Sequence, residues 1–414
     1  MPEFFNVLPP GEALALLLDL LPERPAIGVC SVDTARALGR VTAVEIRASE
    51  SLPAFPRSTM DGYSVRAADT YGASEGLPAW FALAGEVPMG QASDFSLGVG
   101  ETALAHTGGM LAGNADAVVM VEHTQAIDAQ TIEVMRPVAP GENVAQPGED
   151  VSVGEMVLSA GHVIRPQDIG ALLALGIEYI EVAQRPRVGI LSMGDEVVPP
   201  NETPGPGQVR DINTYTVAGQ VMAAGGAAAP LGLVGDDYEE QLVAARQGLA
   251  QSDMLVLSAG SSVSARDRTV DIVAELGEPG PLVHGLALRP GKPAIVGLCD
   301  GKPVIGLPGN PVSAMVVSSL LVRPTVYRLM GCASPPLPVE LTAVLAQDIP
   351  SAAGREDYVP VRLAQGASGM LKAHPVWGKS GFIFTLVRAD GLVRVPADAS
   401  GIYAGERVQV REIR

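Results

Sequence analysis

Arg187-Val188-Gly189-Ile190-Leu191-Ser192 is a short apolar run, and it breaks at once into Met193-Gly194-Asp195-Glu196. A run of this length bounded by glycine and carboxylates predicts a buried strand with a polar tip. The pattern then repeats. Ala228–Val234 leads into Gly235-Asp236-Asp237, and Asp253–Ser258 leads into Ala259-Gly260-Ser261-Ser262-Val263-Ser264 with Arg266-Asp267-Arg268 behind it. Further strands are expected near Leu282–Leu288 and at Pro303–Leu307, which leads into Pro308-Gly309-Asn310-Pro311. Between them, Tyr215–Ala224, Tyr238–Ala250, Thr269–Leu276 and the long apolar Val312–Leu329 read as helices. Alternation of this kind predicts a mainly parallel sheet covered on both faces.

Outward from this block the texture changes. Leu38 to about Arg165 is mostly short β-like pieces between turns: Trp80–Ala84, Thr102–Ala105, Ala117–Val121 and Thr131–Met135. Residues 11–21 read as a helix after Pro9-Pro10, and Pro166–Leu175 as a second one stopping at Gly176. Past Gly331 short strands return at Val339–Leu345, Tyr358–Leu363, Phe382–Leu386, Leu392–Val395 and Val408–Arg411, as in a small barrel or sandwich. The fold class expected is therefore multidomain α/β plus β: a central mainly parallel α/β domain, an inserted β-rich domain and a C-terminal small β-barrel.

At 414 residues the chain suits two to four domains. Its 28 basic against 46 acidic residues leave a formal charge of −18, which excludes a general binder of the nucleic-acid backbone. Aromatic residues make up only 4%, too few for stacking platforms along a single strand. Cys30, Cys299 and Cys332 are widely spaced with no CxxC, so neither a zinc site nor a disulfide framework is expected. The opening MPEFFNVLPPGEA lacks signal-peptide order, and no apolar run reaches membrane-spanning length. A cytoplasmic protein without membrane or nucleic-acid partners is the expectation.

Ligands of open α/β sheets collect beyond the carboxyl ends of the strands, where the polar tips above converge. Peptide N–H groups at a helix start suit an anion, and carboxylates suit Mg²⁺, which takes oxygen ligands and bridges to phosphates. Asp195-Glu196 and Asp236-Asp237 could equally do no more than cap the helices that follow. Arginines number 24 and lysines only four, Lys292, Lys302, Lys372 and Lys379. Lys292 stands in Arg289-Pro290-Gly291-Lys292-Pro293, a rigid turn that would aim a point charge at an anion. No GxSxG elbow, GxGxxG or Walker A loop occurs.

Several segments, in their order, resemble the molybdopterin molybdenumtransferase family, of MoeA and gephyrin E-domain type. They are Ser58-Thr59-Met60-Asp61-Gly62-Tyr63, Thr107-Gly108 with Ala115-Asp116-Ala117-Val118-Val119, Gly148-Glu149-Asp150, Ser192-Met193-Gly194-Asp195-Glu196, Asp211-Ile212-Asn213, Asp236-Asp237, Pro290-Gly291-Lys292-Pro293 and Leu307-Pro308-Gly309-Asn310-Pro311. The resemblance runs from about residue 10 to 414. It implies insertion of molybdate into adenylylated molybdopterin with release of AMP, dependent on Mg²⁺. It also implies a homodimer whose active cleft is shared between subunits.

Carried over by motif, Asp61 and Thr107 would face that cleft across the dimer, and Glu196, Asp237 and Asp267 would hold the metal or polar groups of the substrate. Lys292 and the loop Pro308, Gly309, Asn310, Pro311 would face the molybdate or phosphate side. Arg355 and Ser380 would close it, and Ser258, Gly260, Ser262 and Arg289 would complete the substrate contacts. The domains implied are 1–40 with 137–182, 41–136 inserted, 183–330 for molybdopterin and 331–414 as the barrel. The chain departs from the family pattern at Ala259 and Ser264, at Arg289 in place of a lysine, and at Val144-Ala145-Gln146-Pro147, where an arginine before Gly-Glu-Asp is missing. The altered 258–264 loop leaves a non-catalytic carrier of molybdopterin or of finished cofactor as the alternative.

Overall fold

The structure is a computed structural model that describes residues 7–23, 26–259, 263–366 and 369–413, with side chains of 263–267 excluded. Two compact units form: residues 45–159 with 167–178, and residues 7–44, 160–166 and 179–413.

The larger unit is built on a six-stranded sheet of β1 (Arg187–Met193), β2 (Ala227–Val234), β3 (Met254–Ala259), β4 (Pro279–His284), β5 (Ile295–Cys299) and β6 (Lys302–Pro308). The order is β2-β1-β3-β6-β5-β4; β2, β1, β3 and β6 are parallel, β5 runs antiparallel to β6, and β4 antiparallel to β5. Alternate side chains go to opposite faces. Val188, Ile190, Met254 and Val256 join one core, while Leu191, Met193, Leu255 and Leu257 join the other. Helix α1 (Asn213–Ala223) covers the first face through Val217 and Val221. Helices α2 (Tyr238–Ala250) and α3 (Val263–Glu275) cover the second through Leu242, Ala245, Ile272 and Val273. Register places Ser192 opposite Ser258 and Ser258 opposite Leu307, so the polar tips share one edge.

Three readings of the sequence need correction here. The apolar Ile295–Cys299 is an antiparallel strand that no alternation marks, because all five of its residues are buried. The expected strand at 282–288 ends at His284, and a separate short strand, Leu288–Arg289, pairs elsewhere. The long helix at 312–329 is interrupted: helix α4 (Pro311–Val317), a π-helical turn Ser318–Val322, then helix α5 (Arg323–Leu329). Pro324 explains the widened turn, since its ring lacks an N–H and crowds the carbonyl four residues back.

The C-terminal part closes as a five-stranded barrel. Strands β7 (Glu340–Leu345), β8 (Glu356–Gln365), β9 (Leu371–Pro375), β10 (Gly391–Val395) and β11 (Arg407–Glu412) run β8-β9-β7-β11-β10, and β10 returns to β8. Its core is Ala343, Leu345, Val361, Ala373, Val393, Val395, Val408 and Val410. Leu288–Arg289 adds to this sheet in parallel, opposite Glu356 and Asp357. Phe382–Leu386, expected as a strand, is instead part of a helical turn, Phe384–Val387. Its backbone donors are satisfied locally (Leu386 N–H to Ile383 O, 2.9 Å), and burial of Thr385 and Leu386 outweighs the β-propensity of the segment.

The smaller unit carries a six-stranded sheet ordered Ala117–Met120, Gly62–Val65, Glu101–Ala105, Ala79–Glu86, Thr131–Val134, Thr124–Ala126. Gly62 sits so close to its neighbour that an added Cβ would overlap the carbonyl oxygen of Val119. Gly62→Ala is expected to destabilise this unit by about 1–3 kcal/mol, read as a lower unfolding midpoint in urea. An unchanged midpoint would show that the strands spread freely at this point.

Candidate functional site

At the sheet's carboxyl edge, side chains from the start of α1 lock neighbouring strand tips together. Asn213, 7% exposed, donates from Nδ2 to Ser258 Oγ at 3.0 Å and to the Gly309 carbonyl at 2.9 Å. Thr214 Oγ1 meets Ser192 Oγ at 2.9 Å, and the Thr214 N–H donates to Asp211 Oδ1 at 3.1 Å. The tips of β1, β3 and β6 are thus tied to one helix. Among the described residues the side-chain amide oxygen Oδ1 of Asn213 is buried without a partner, while its main-chain carbonyl accepts the Thr216 hydroxyl at 3.1 Å.

Beside them opens a cleft of about 960 Å³, walled by the 286–293 turn, the 352–355 and 376–380 loops and Pro308, Asn310 and Ser313. Arg289, Lys292, Arg355 and Lys379 line it, and Asp357 is the acidic residue among its lining. The turn bearing Lys292 is pinned by the Leu286 N–H on the Lys292 carbonyl (2.8 Å) and the Gly285 N–H on the Ala294 carbonyl (2.9 Å). Gly291 makes the turn possible. Its φ is +126°, and a Cβ there would lie 2.6 Å from Val317 Cγ2. Among the described residues the ammonium groups of Lys292 and Lys379 have no hydrogen-bond or ion-pair partner. Ser380 docks through its backbone, its carbonyl accepting the Val312 N–H at 3.1 Å. Trp377, 57% exposed, stands on the same wall.

The structure thus brings Arg289, Lys292, Pro308, Asn310, Arg355 and Ser380 into one cleft, with Ser258 and Gly309 attached to its edge through Asn213. Pro311 is buried at the first position of α4. Glu196 and Asp237 do not line the cleft. They lie on touching loops at the tips of β1 and β2, where Asp195 Oδ1 accepts the Asp236 N–H at 2.9 Å. Glu196 folds its carboxylate back over Gly194. Asp237 caps α2, its Oδ1 accepting the Glu240 N–H at 2.9 Å. Asp236 pairs with Arg268 at 3.0 Å. Gly260, Ser262 and the Asp267 side chain lie outside the described residues. Among the described residues no group of three or more His, Cys, Asp or Glu is placed to hold a metal, and no helix is long and apolar enough to cross a membrane.

In the smaller unit Asp61 and Thr107 meet. Asp61 Oδ1 accepts the Thr107 N–H at 2.9 Å and the Thr107 hydroxyl at 3.0 Å. The Thr107 N–H, then its hydroxyl, hold the Asp61 carboxyl below its ordinary range against slight burial, with a smaller contribution from His106. His106 Nε2 lies 2.7 Å from Glu86 Oε1. A lowered pKa means that the Asp61–Thr107 contact stands fully formed above the ordinary carboxylate range and is lost as pH falls through the lowered value. Thr107→Val removes one of the donors, so the Asp61 titration, followed by carboxyl-carbon NMR, should move upward. An unmoved midpoint would show that the hydroxyl does not hold the carboxylate.

Asp357, Asn213 and Trp377 were not among the site residues expected from sequence. Asn213 stood in a recognised motif, but its role needs Ser258 and Gly309 beside it. Asp357 has a local partner in Arg355, but the second, Arg289, comes from a distant strand that no local pattern reveals.

Comparison with known proteins agrees along the chain. Residues 8–176 match the MoeA N-terminal region (domain I and II), 189–328 the "Probable molybdopterin binding domain", and 342–413 the MoeA C-terminal region (domain IV). A Mycobacterium tuberculosis protein named molybdopterin molybdenumtransferase 2 is 31% identical over 92% of this chain and 95% of its own length. Crystal structures of the molybdopterin biosynthesis MoeA protein from Pyrococcus horikoshii superpose with TM-scores of 0.79 at 34% identity, covering 99% of each chain, and 0.84 at 30% identity, covering 98% of this chain and 100% of the other. Interlocked strand tips, a cation-lined cleft and a closing barrel are therefore features of a chain that belongs to the MoeA family of molybdopterin molybdenumtransferases.

Proposed function

We propose that this protein inserts molybdate into adenylylated molybdopterin and releases AMP, with Mg²⁺ required. The observation that carries the reading is the cleft itself. In a chain of formal charge −18, Arg289, Lys292, Arg355 and Lys379 line one hollow, with Asp357 the single opposing acid among the described residues. Such an excess of positive charge selects a tetrahedral dianion or a phosphate and concentrates it locally. Lys292, held by a rigid turn, supplies a point charge, and Arg355 supplies planar donors beside the Ser380 segment. The interlocked tips at Ser258 and Gly309 keep the cleft edge from shifting as substrate enters.

Glu196 and Asp237 are hard oxygen donors on adjoining loops, the donor type that Mg²⁺ takes from one or two carboxylates while bridging to substrate phosphates. They fit the ion, with Asp267 as third candidate, and the ion when bound would offset phosphate charge. The reading includes the four-domain division, a cytoplasmic setting, supported by three free thiols, and a homodimer in which the second copy presents Asp61 and Thr107 to the cleft.

The test incubates purified protein with adenylylated molybdopterin, molybdate and Mg²⁺ and measures AMP. Release that needs both molybdate and Mg²⁺ is expected. Pterin binding without release would establish the carrier alternative instead.

A further inference from the structure

The carboxylate of Asp357 sits in the wall of the cleft, its side chain only 4% exposed, among groups that should attract an anion. A buried carboxylate is costly unless paired, and it would repel an oxyanion bound nearby. Its contacts explain its presence. Arg355 Nε lies 2.9 Å from Oδ1, and Arg289 Nη1 lies 3.6 Å from Oδ2. The backbone sets up this bridge, because Leu288–Arg289 pairs in parallel with β8 and places Arg289 opposite Asp357. One acid therefore grips an edge of each arginine, one from the sheet domain and one from the barrel. A guanidinium has five N–H donors, so each keeps most of its donors for a ligand.

The adjacent acid serves the opposite face of β8. Glu356 takes Tyr358 Oη at 3.0 Å and Arg394 Nη2 at 2.5 Å, away from the arginines of the cleft. The two neighbouring carboxylates thus hold arginines on two sides of β8, Asp357 with Arg289 and Arg355, Glu356 with Arg394.

We propose that Asp357 is a positioning residue: it orients Arg289 and Arg355 so that their free donors converge on an oxyanion in the cleft. The inference rests on the reading of the cleft as the oxyanion site. It makes a prediction of opposite sign to simple electrostatics. Asp357→Asn removes the one negative charge among the cleft's described lining residues, so field strength alone would tighten molybdate binding. Loss of arginine positioning weakens it.

The experiment titrates molybdate into the full-length protein carrying Trp80→Phe, so that Trp377 on the cleft wall reports binding by fluorescence, and measures the molybdate KM for AMP release in parallel. Asp357→Asn is expected to weaken molybdate binding and raise KM roughly tenfold, with kcat less affected. Asp357→Glu, which keeps the charge, should fall between the two, and it carries the comparison if the Asn variant does not fold. In an Arg289→Gln background the Asp357→Asn effect should shrink, because one of its clients is gone. Equal or tighter molybdate binding by Asp357→Asn overturns the proposal while leaving the oxyanion site intact. Absence of saturable molybdate binding in the parent protein overturns both.

Discussion

Replacing Lys292 by alanine is expected to lower kcat/KM for molybdate about a hundredfold without unfolding the protein. Hydrogen bonds to a charged partner contribute about 1.5–3 kcal/mol, and a hundredfold loss corresponds to about 2.7 kcal/mol. The upper part of that range applies because, among the described residues, the Lys292 ammonium has no other partner to offset the loss. Folding should be spared, since the turn is held by the Lys292 carbonyl and by Gly291, both kept in the variant. Lys292→Arg should recover only part of the loss, because a broad planar guanidinium replaces a compact charge. Lys372→Ala, on the exposed side of a barrel strand, is the control and should change nothing. A Lys292→Ala enzyme with unaltered molybdate dependence would remove the residue from the site.

The second large effect is expected at Asn213. Asn213→Leu keeps the branched shape and the number of heavy atoms but leaves the Gly309 carbonyl and the Ser258 hydroxyl without their donor in a buried place. Loss of these bonds and the unsatisfied acceptor together should destabilise the larger unit by about 2–4 kcal/mol, seen in chemical denaturation. Asn213→Asp separates hydrogen bonding from packing. It is the same size, yet it sets an acceptor against the Gly309 carbonyl, so it should be the worse of the two. If Asp were tolerated as well as Asn, the interlock of strand tips would not rest on this amide.

Much of the architecture was legible because burial writes itself into periodicity. The apolar runs of β1, β3 and β6 and their polar ends announced a parallel sheet with its loops on one edge, and the register shows those ends aligned. Ile295–Cys299 escaped because full burial erases alternation. Phe382–Leu386 was misread because a helical turn there depends on what Thr385 and Leu386 pack against, which no local pattern states. In the cleft, Lys292, Pro308 and Asn310 stand on conspicuous turns that the sequence marks. Asp237 followed the plainer of its two readings, capping a helix through Oδ1. Asp357 could not be read, since its meaning lies in a strand pairing that brings Arg289 beside it.

The most direct test of the account is crystallographic. Crystals of the protein soaked in molybdate and measured at the molybdenum absorption edge should show an anomalous peak in the cleft, within hydrogen-bond reach of Lys292 Nζ and the Arg355 guanidinium. A peak confined to some other surface, or no peak at saturating molybdate, would contradict it.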